Sequence, residues 1–403
     1  MKVDAFETFV VANPPPSFGG RYFIFVKLVA DDGTVGYGEV YTATFHPHVV
    51  AAMIEDVCER CLIGHDPFHI EALWRNVYGR GYTARPDVSL ISVLSGIEIA
   101  CWDLIGKAVD KPVYELLGGQ VHRQLRSYTY LYPSASDGTD PYTENRVYND
   151  PELAAQRASE EVERGFTAVK FDPAGPYTVY DGHMPSLEDI ERSRAFVAAI
   201  REAVGTRADL LFGTHGQFTA AGAIRLARAL EPYDPMWFEE PVPPDNIEEM
   251  ARVARQTSIP IATGERLTTK YEFARVVEAQ AAAIVQPALG RSGGILETKK
   301  IASIAETHHV QIAPHLYCGP IEALANIALA ACTPNFLILE VIQTFAGFYA
   351  DLLTTPIDWH HGYVIPPQAP GLGADLNEDL ARANPYNDPH LHLEPQNHPH
   401  PSQ

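Results

Sequence analysis

Apolar residues along this chain follow two alternating periods. Near the N-terminus, residues 23–29 and 35–40 read as extended segments joined at Asp31-Asp32-Gly33-Thr34, a turn signal between strands, so an antiparallel meander opens the protein. The period lengthens to that of a helix over His48–Cys61, and again over Val88–Lys107, where Ile91, Leu94, Ile97, Cys101 and Leu104 fall on or near one apolar stripe. These segments predict a small α+β cap. Leu116-Leu117-Gly118-Gly119 then breaks the helix, since paired glycines favour a helix C-terminus and a turn.

From Leu125 the pattern becomes apolar strand, turn and helix, repeated. Candidate strands are Ser127–Leu131, Thr167–Phe171, Asp209–Phe212, Met236–Phe238, Pro260–Ala262, Ala282–Gln286, Val310–Ala313 and Phe336–Leu339. Helical stretches separate most of them, among them Pro151–Glu163, Asp189–Val204, Thr219–Leu230, Ile247–Thr257, Lys270–Ala279 and Ile295–Thr307. The expected fold class is therefore α/β, a (β/α)7-8 modified TIM barrel whose active site lies at the strand C-terminal ends. The expected division is an α+β capping domain over 1–124, a catalytic barrel over 125–350, and a segment over 351–403 that returns to the cap and ends in a polar tail. The first crossover, Ser134–Asp150, is long and rich in Asp, Tyr, Pro and Ser, and is placed to reach over the rim. Histidines 390, 392, 398 and 400 lie among Pro and Asn without periodicity and read as an unstructured terminus rather than a metal site.

Size and charge narrow the function. A chain of 403 residues exceeds what one core usually holds. Its formal charge of −21 argues against a nucleic-acid partner, which selects for clustered Lys and Arg. No uninterrupted apolar run approaches the roughly 20 residues of a membrane span, and no basic-then-apolar leader opens the sequence, so neither a membrane nor export is expected. Five scattered cysteines suit a reducing cytoplasm better than a disulfide framework. Cys58 and Cys61 have the spacing of a zinc half-site but fall in an amphipathic helix, where packing explains them.

The chemistry concentrates at predicted strand ends. Glu239 in Trp-Phe-Glu-Glu-Pro and Glu265 in Ala-Thr-Gly-Glu-Arg each close an apolar run and lie 26 residues apart, one strand-plus-helix repeat, so they converge at the rim as a metal cradle. A carboxylate inside such a barrel is costly unless paired or liganded. One repeat earlier the chain has Gly213. Strand two ends Val169-Lys170-Phe171-Asp172, and alternation sends Lys170 and Asp172 to one face. Strand three aims His215 at the rim, strand seven His315, and strand eight Glu340.

Glu-Glu-Pro, Gly-Glu-Arg, Ser-Gly-Gly and Ala-Pro-His, preceded by Ala100-Cys101-Trp102-Asp103 and by Leu-Gly-Gly, together resemble the enolase superfamily over nearly the whole chain. The mandelate racemase subgroup, and within it the galactonate dehydratase-like sugar-acid dehydratases, are the most similar. The resemblance implies Mg²⁺ on three carboxylates from strands three to five, gripping the substrate carboxylate and stabilising an enediolate. Carried over by position, Glu239 and Glu265 are the second and third ligands. His215 matches the general acid, His315 the base, Glu340 a carboxylate that hydrogen-bonds substrate, and Lys170 the first lysine of a Lys-x-Lys pair. Arg21, Tyr41, His46 and His48 belong to cap segments that in this family close over the substrate, and Pro14–Arg21 reads as a lid.

Three positions depart from the family. The first ligand is Gly213, the second lysine is Asp172, and the strand-six aspartate that would orient His315 is Ala288. Strands two and three are neighbours about 4.8 Å apart, so either Asp172 supplies the missing ligand across the space that glycine leaves, or a water fills that position. The expected activity is Mg²⁺-dependent dehydration of an aldonate-type sugar acid to a 2-keto-3-deoxy acid by a homo-oligomeric enzyme. Epimerisation or cycloisomerisation through the same enediolate, and a catalytically inactive ligand-binding scaffold, are the alternatives.

Overall fold

The computed structural model describes residues 1–42, 44–133, 146–177, 179 and 182–391. Most of the long first crossover, and His392, His398 and His400 of the tail, lie outside them.

The cap is a meander of β1 (Val3–Ala12), β2 (Tyr22–Ala30) and β3 (Val35–Val40), all antiparallel, with helices Pro47–Cys61, Ile70–Tyr78 and Val88–Ala108 packed on it. Strand β1 escaped the sequence reading because it is an edge whose exposed Asp4 and part-buried Glu7 and Thr8 blur the alternation. Helix Val88–Ala108 is long and apolar enough to cross a membrane, but 78% of its most apolar window is buried within the fold. All five cysteines are free and buried, and Cys58, Cys61 and Cys101 fill the core under this helix.

The barrel strands are β4 (Leu125–Tyr130), β5 (Ala168–Phe171), β6 (Asp209–Gly213), β7 (Trp237–Glu239), β8 (Ile261–Thr263), β9 (Ile284–Val285), β10 (Gln311–Ile312) and β11 (Leu339–Val341). They run parallel in sequence order; β11 pairs with β4, and a bridge between Ile312 and Phe336 completes the ring. The eighth strand starts later than its apolar run. Asn335 is tied to the carbonyls of Ala302 and Val310, and the ladder with β4 begins only at Leu339, so Glu340 lies within the strand rather than after it. Among the described residues, helices Pro151–Arg164, Leu187–Val204, Ala220–Leu230, Ile247–Ala254, Thr269–Glu278, Gly294–Glu306 and Pro320–Ala331 follow strands β4 to β10, and the eighth position holds only the short Phe348–Asp351. Tyr128, Trp237, Leu211 and Ile338 plug the interior below the mouth, as a filled barrel requires.

The C-terminal segment closes both ends of this arrangement. A hairpin of Trp359–His360 and Tyr363–Val364 pairs antiparallel with the start of β4. Further on, Val11 bridges Pro385, and Lys27 pairs with Glu378 at 2.6 Å, fastening the segment to the cap sheet. Two contacts then set the cap over the mouth. Buried Glu39 accepts the Glu322 N–H at 2.9 Å at the N-terminus of helix Pro320–Ala331, a favourable place for a carboxylate. Tyr41 donates its backbone N–H to Gly290 at 3.0 Å, which fixes the ring at the barrel rim.

Candidate active site

Alternation along β5 turns Lys170 and Asp172 toward the mouth, but they take different partners. Lys170, 1% exposed, sets its ammonium 2.8 Å from Glu239 Oε1 and 3.2 Å from Glu340 Oε1. Asp172 accepts from Tyr130 Oη at 2.9 Å and Gln217 Nε2 at 3.2 Å, and lies 3.6 Å from His215 Nδ1. Glu265 gathers the opposite side: Tyr41 Oη at 3.1 Å, His315 Nε2 at 3.5 Å and His215 Nε2 at 4.0 Å. Glu340 lies 3.9 Å from His315 and accepts the Leu316 N–H at 2.9 Å. These groups surround a cavity of about 430 Å³ whose far wall carries Tyr130, Tyr148 and Tyr177.

His215 reaches this cavity through unusual backbone. It has φ +47°, and Glu240 beneath it has φ +40°, conformations that cost of order 1–3 kcal/mol each unless the surroundings impose them. Arg266 imposes them. Its Nε donates to both Glu240 oxygens at 3.0 and 3.1 Å, while Nη2 donates to the His215 carbonyl at 2.9 Å. A Cβ on Gly216 would fall 2.3 Å from Nη2, so glycine there lets the guanidinium pass. Lysine cannot reproduce this fork. Arg266→Lys is therefore expected to lower kcat on the order of 10²-fold through misplacement of His215, with KM little changed, in steady-state kinetics on a variant of unaltered circular dichroism.

The two imidazoles are driven to opposite protonation states. Burial pulls His215 down, but Asp172, through charge and hydrogen bond, and Glu265 outweigh it and push its pKa up to about 9. Its side chain keeps 34% of its surface exposed, which eases the cost of the charge. His315 is pulled down to about 4, chiefly by burial and then by Lys170 and Arg291, against the pull of Glu265 and Glu239. Near neutral pH these shifts favour a protonated His215 and a neutral His315. Burial pushes Glu265 upward, yet His315, His215, Arg291 and Lys170 hold it well below the usual carboxylate range. Lys170 stays protonated against its burial because Glu239 and Glu340 face it.

The donor set suits a hard divalent cation. Lys170, protonated His215 and Arg291 face four carboxylates, Asp172, Glu239, Glu265 and Glu340, so the mouth carries excess negative charge that a bound anion would increase. Glu240 is already neutralised by Arg266. Gln286 donates to Glu239 Oε2 at 2.8 Å while its own Oε1 is buried without a partner. A Cβ on Gly213 would lie 3.3 Å from Asp172 Oδ1, so the Asp172 carboxylate does reach the space above the glycine. Among the described residues, however, no three His, Cys, Asp or Glu side chains are already gathered as a metal cluster. The lysine ammonium stands at Glu239.

Of the positions singled out in the sequence, Tyr41, Lys170, Asp172, His215, Glu265, His315 and Glu340 line the cavity, and Glu239 lies directly behind Lys170. Arg21 and His46 are not in the described wall. His46 instead faces the C-terminal segment, 3.1 Å from the Asp388 carbonyl, and His48 lies 2.8 Å from that of Tyr386. The returning segment thus takes the cap histidines that were expected at the substrate. His315 Nδ1 is buried without a partner, as the alanine at 288 leads one to expect. Its ring is placed by stacking on Tyr41, centroids 5.7 Å apart, and its carbonyl by Asn326 Nδ2 at 3.0 Å. Sequence reasoning missed Tyr130, Gln217 and Gln286. Tyr130 ends the first strand, where the rim argument applied to the other strands also points. Arg291 was missed as well; it covers the Tyr41 ring at 4.0 Å and binds the Glu265 carbonyl at 3.1 Å.

The chain is similar to known proteins over most of its length. Residues 7–118 match the mandelate racemase/muconate lactonizing enzyme N-terminal domain, and 153–380 the enolase C-terminal domain-like family. A D-xylonate dehydratase of Haloferax volcanii is 34% identical over 91% of this chain and 86% of its own length. A D-galactonate dehydratase of Ralstonia nicotianae is 35% identical over 89% and 90%. Among solved structures, a chain from Labrenzia alexandrii is 66% identical with a TM-score of 0.94, covering 98% of this chain and 99% of its own. A mandelate racemase/muconate lactonizing enzyme from Sulfitobacter is 53% identical with a TM-score of 0.94, covering 99% of each.

Proposed function

Since the chain belongs to the mandelate racemase/muconate lactonizing enzyme group of the enolase superfamily and is an enzyme of the hydro-lyase kind, we propose that it dehydrates an aldonate-type sugar acid to a 2-keto-3-deoxy acid. The observation that carries this reading is the pair of histidines on one cavity with pKa values pushed to opposite sides of neutrality, the pattern that assigns an acid and a base. Neutral His315 takes the proton from the α-carbon, and the electron pair delocalises into the substrate carboxylate as an enediolate. As the pair returns to form the α,β double bond, the β C–O bond breaks and the departing oxygen takes the His215 proton, leaving as water. The resulting enol tautomerises to the ketone.

Glu239, Glu265 and Asp172 would hold Mg²⁺, whose oxygen preference they match. When bound, this ion supplies the positive charge that offsets a carboxylate gaining a second negative charge. Lys170 and Glu340 present a donor and an acceptor to the substrate. Lys170 is held as an ammonium by two carboxylates, so it is a poor second base, which favours elimination over epimerisation. Tyr130, Tyr148 and Tyr177 offer ring faces and hydroxyls to a polyhydroxy chain.

The test is turnover of a panel of aldonates with Mg²⁺, read out as 2-keto acid. Formation of the ketone from at least one sugar acid supports the reading, and inactivity across the panel contradicts it. The rate is also expected to follow a bell in pH. Activity rises on the acid side as His315 loses its proton and falls on the alkaline side as His215 loses its own.

A further inference from the structure

Glu239 is hidden behind Lys170. Lys170, Glu265 and Glu340 line the cavity, whereas Glu239 does not, and donors take both of its oxygens: Lys170 Nζ on Oε1 and Gln286 Nε2 on Oε2, each at 2.8 Å. The lysine gets there through the space over Gly213. A Cβ at 213 would fall 2.6 Å from Lys170 Cε and 3.4 Å from Cγ, so any side chain there would push the lysine stem off this path. The absent ligand and the position of the lysine are thus one structural fact.

We propose that Lys170 is an internal stand-in for the divalent cation at Glu239. Its ammonium neutralises that carboxylate while the site is unloaded, and moves off it, keeping Glu340, when the cation arrives. A buried carboxylate left without a partner is costly, so Glu239 needs an internal cation beside it whenever no divalent ion is bound. A dication and an ammonium repel each other on one carboxylate, so each weakens the hold of the other on Glu239. Glu340 provides the second seat: its Oε1 is already 3.2 Å from the ammonium, and the Leu316 N–H fixes its Oε2. Leaving Glu239 brings the ammonium toward the cavity, where an anionic substrate can use it, so the cation binds first and the anion second.

This inference rests on the reading of Glu239 and Glu265 as cation ligands, and Mn²⁺ titration followed by electron paramagnetic resonance separates the two. Lys170→Met removes the competitor and is expected to bind Mn²⁺ at least about tenfold more tightly than the wild type, the low end of coupling between close charge pairs. Gly213→Ala keeps the lysine charge but blocks its path, and is expected to shift affinity the same way. Wild-type binding with no gain in Gly213→Ala would overturn the exchange and leave the ligand assignment standing. Absence of Mn²⁺ binding in the wild type and both variants would overturn both.

Discussion

Glu265→Ala is expected to lose turnover by on the order of 10³-fold or more, together with its divalent-cation affinity, because several kcal/mol of charge stabilisation act at this carboxylate. Glu265 is the junction of the site. Its oxygens are approached by His315, His215 and Tyr41, its backbone carbonyl by Arg291, and against its burial the two histidines, Arg291 and Lys170 hold its carboxyl well below the usual carboxylate range. Removing it would take away a proposed cation ligand and also negative charge that supports protonated His215. Glu239→Ala is expected to weaken the cation comparably while leaving Lys170 paired with Glu340. Initial rates on a sugar acid, run beside Mn²⁺ titration, read both effects. A variant of Glu265 with wild-type cation affinity contradicts the ligand assignment.

His215→Asn is expected to lower dehydration 10²- to 10⁴-fold, the usual contribution of a positioned acid or base. The informative part is what survives. His315 is untouched by the change, so exchange of the substrate α-proton with deuterium from D₂O should continue while loss of the β-hydroxyl stops. Proton NMR of the recovered substrate shows this directly. Loss of both exchange and elimination would assign the α-proton to His215 instead and reverse the roles of the two histidines.

Much of the site was legible in the sequence because a parallel barrel turns a one-dimensional rule into a place. A polar residue closing an apolar run ends at the mouth, and this located Lys170, Asp172, His215, Glu239, Glu265, His315 and Glu340. The resemblance to sugar-acid dehydratases then distributed the roles. Pairings were not legible. Lys170 and Asp172 share a strand face, yet one turns to Glu239 and Glu340 and the other to Tyr130, Gln217 and His215, choices set by strands far away in sequence. Cap residues were the least legible. Tyr41 is fixed by a backbone bond to Gly290, while His46 is taken by the carbonyl of Asp388, and neither contact has a local signal. The eighth strand was placed early because a buried apolar run was read as a ladder, when only its end pairs with β4.

The absence of a side chain at Gly213 now has a physical reading. The glycine opens a space that the Lys170 stem crosses and the Asp172 carboxylate borders, one joining Glu239 to Glu340, the other held by Tyr130 and Gln217. The central claim is that a carboxylate has moved one strand over, from β6 to the end of β5, and that it completes a divalent-cation site there. A crystal structure of the Mg²⁺-loaded enzyme tests it most directly. The account predicts one oxygen each from Asp172, Glu239 and Glu265 at about 2.1 Å from the ion, with Lys170 off Glu239. An ion bound with Asp172 more than about 4 Å away, or with Lys170 still on Glu239, would contradict it.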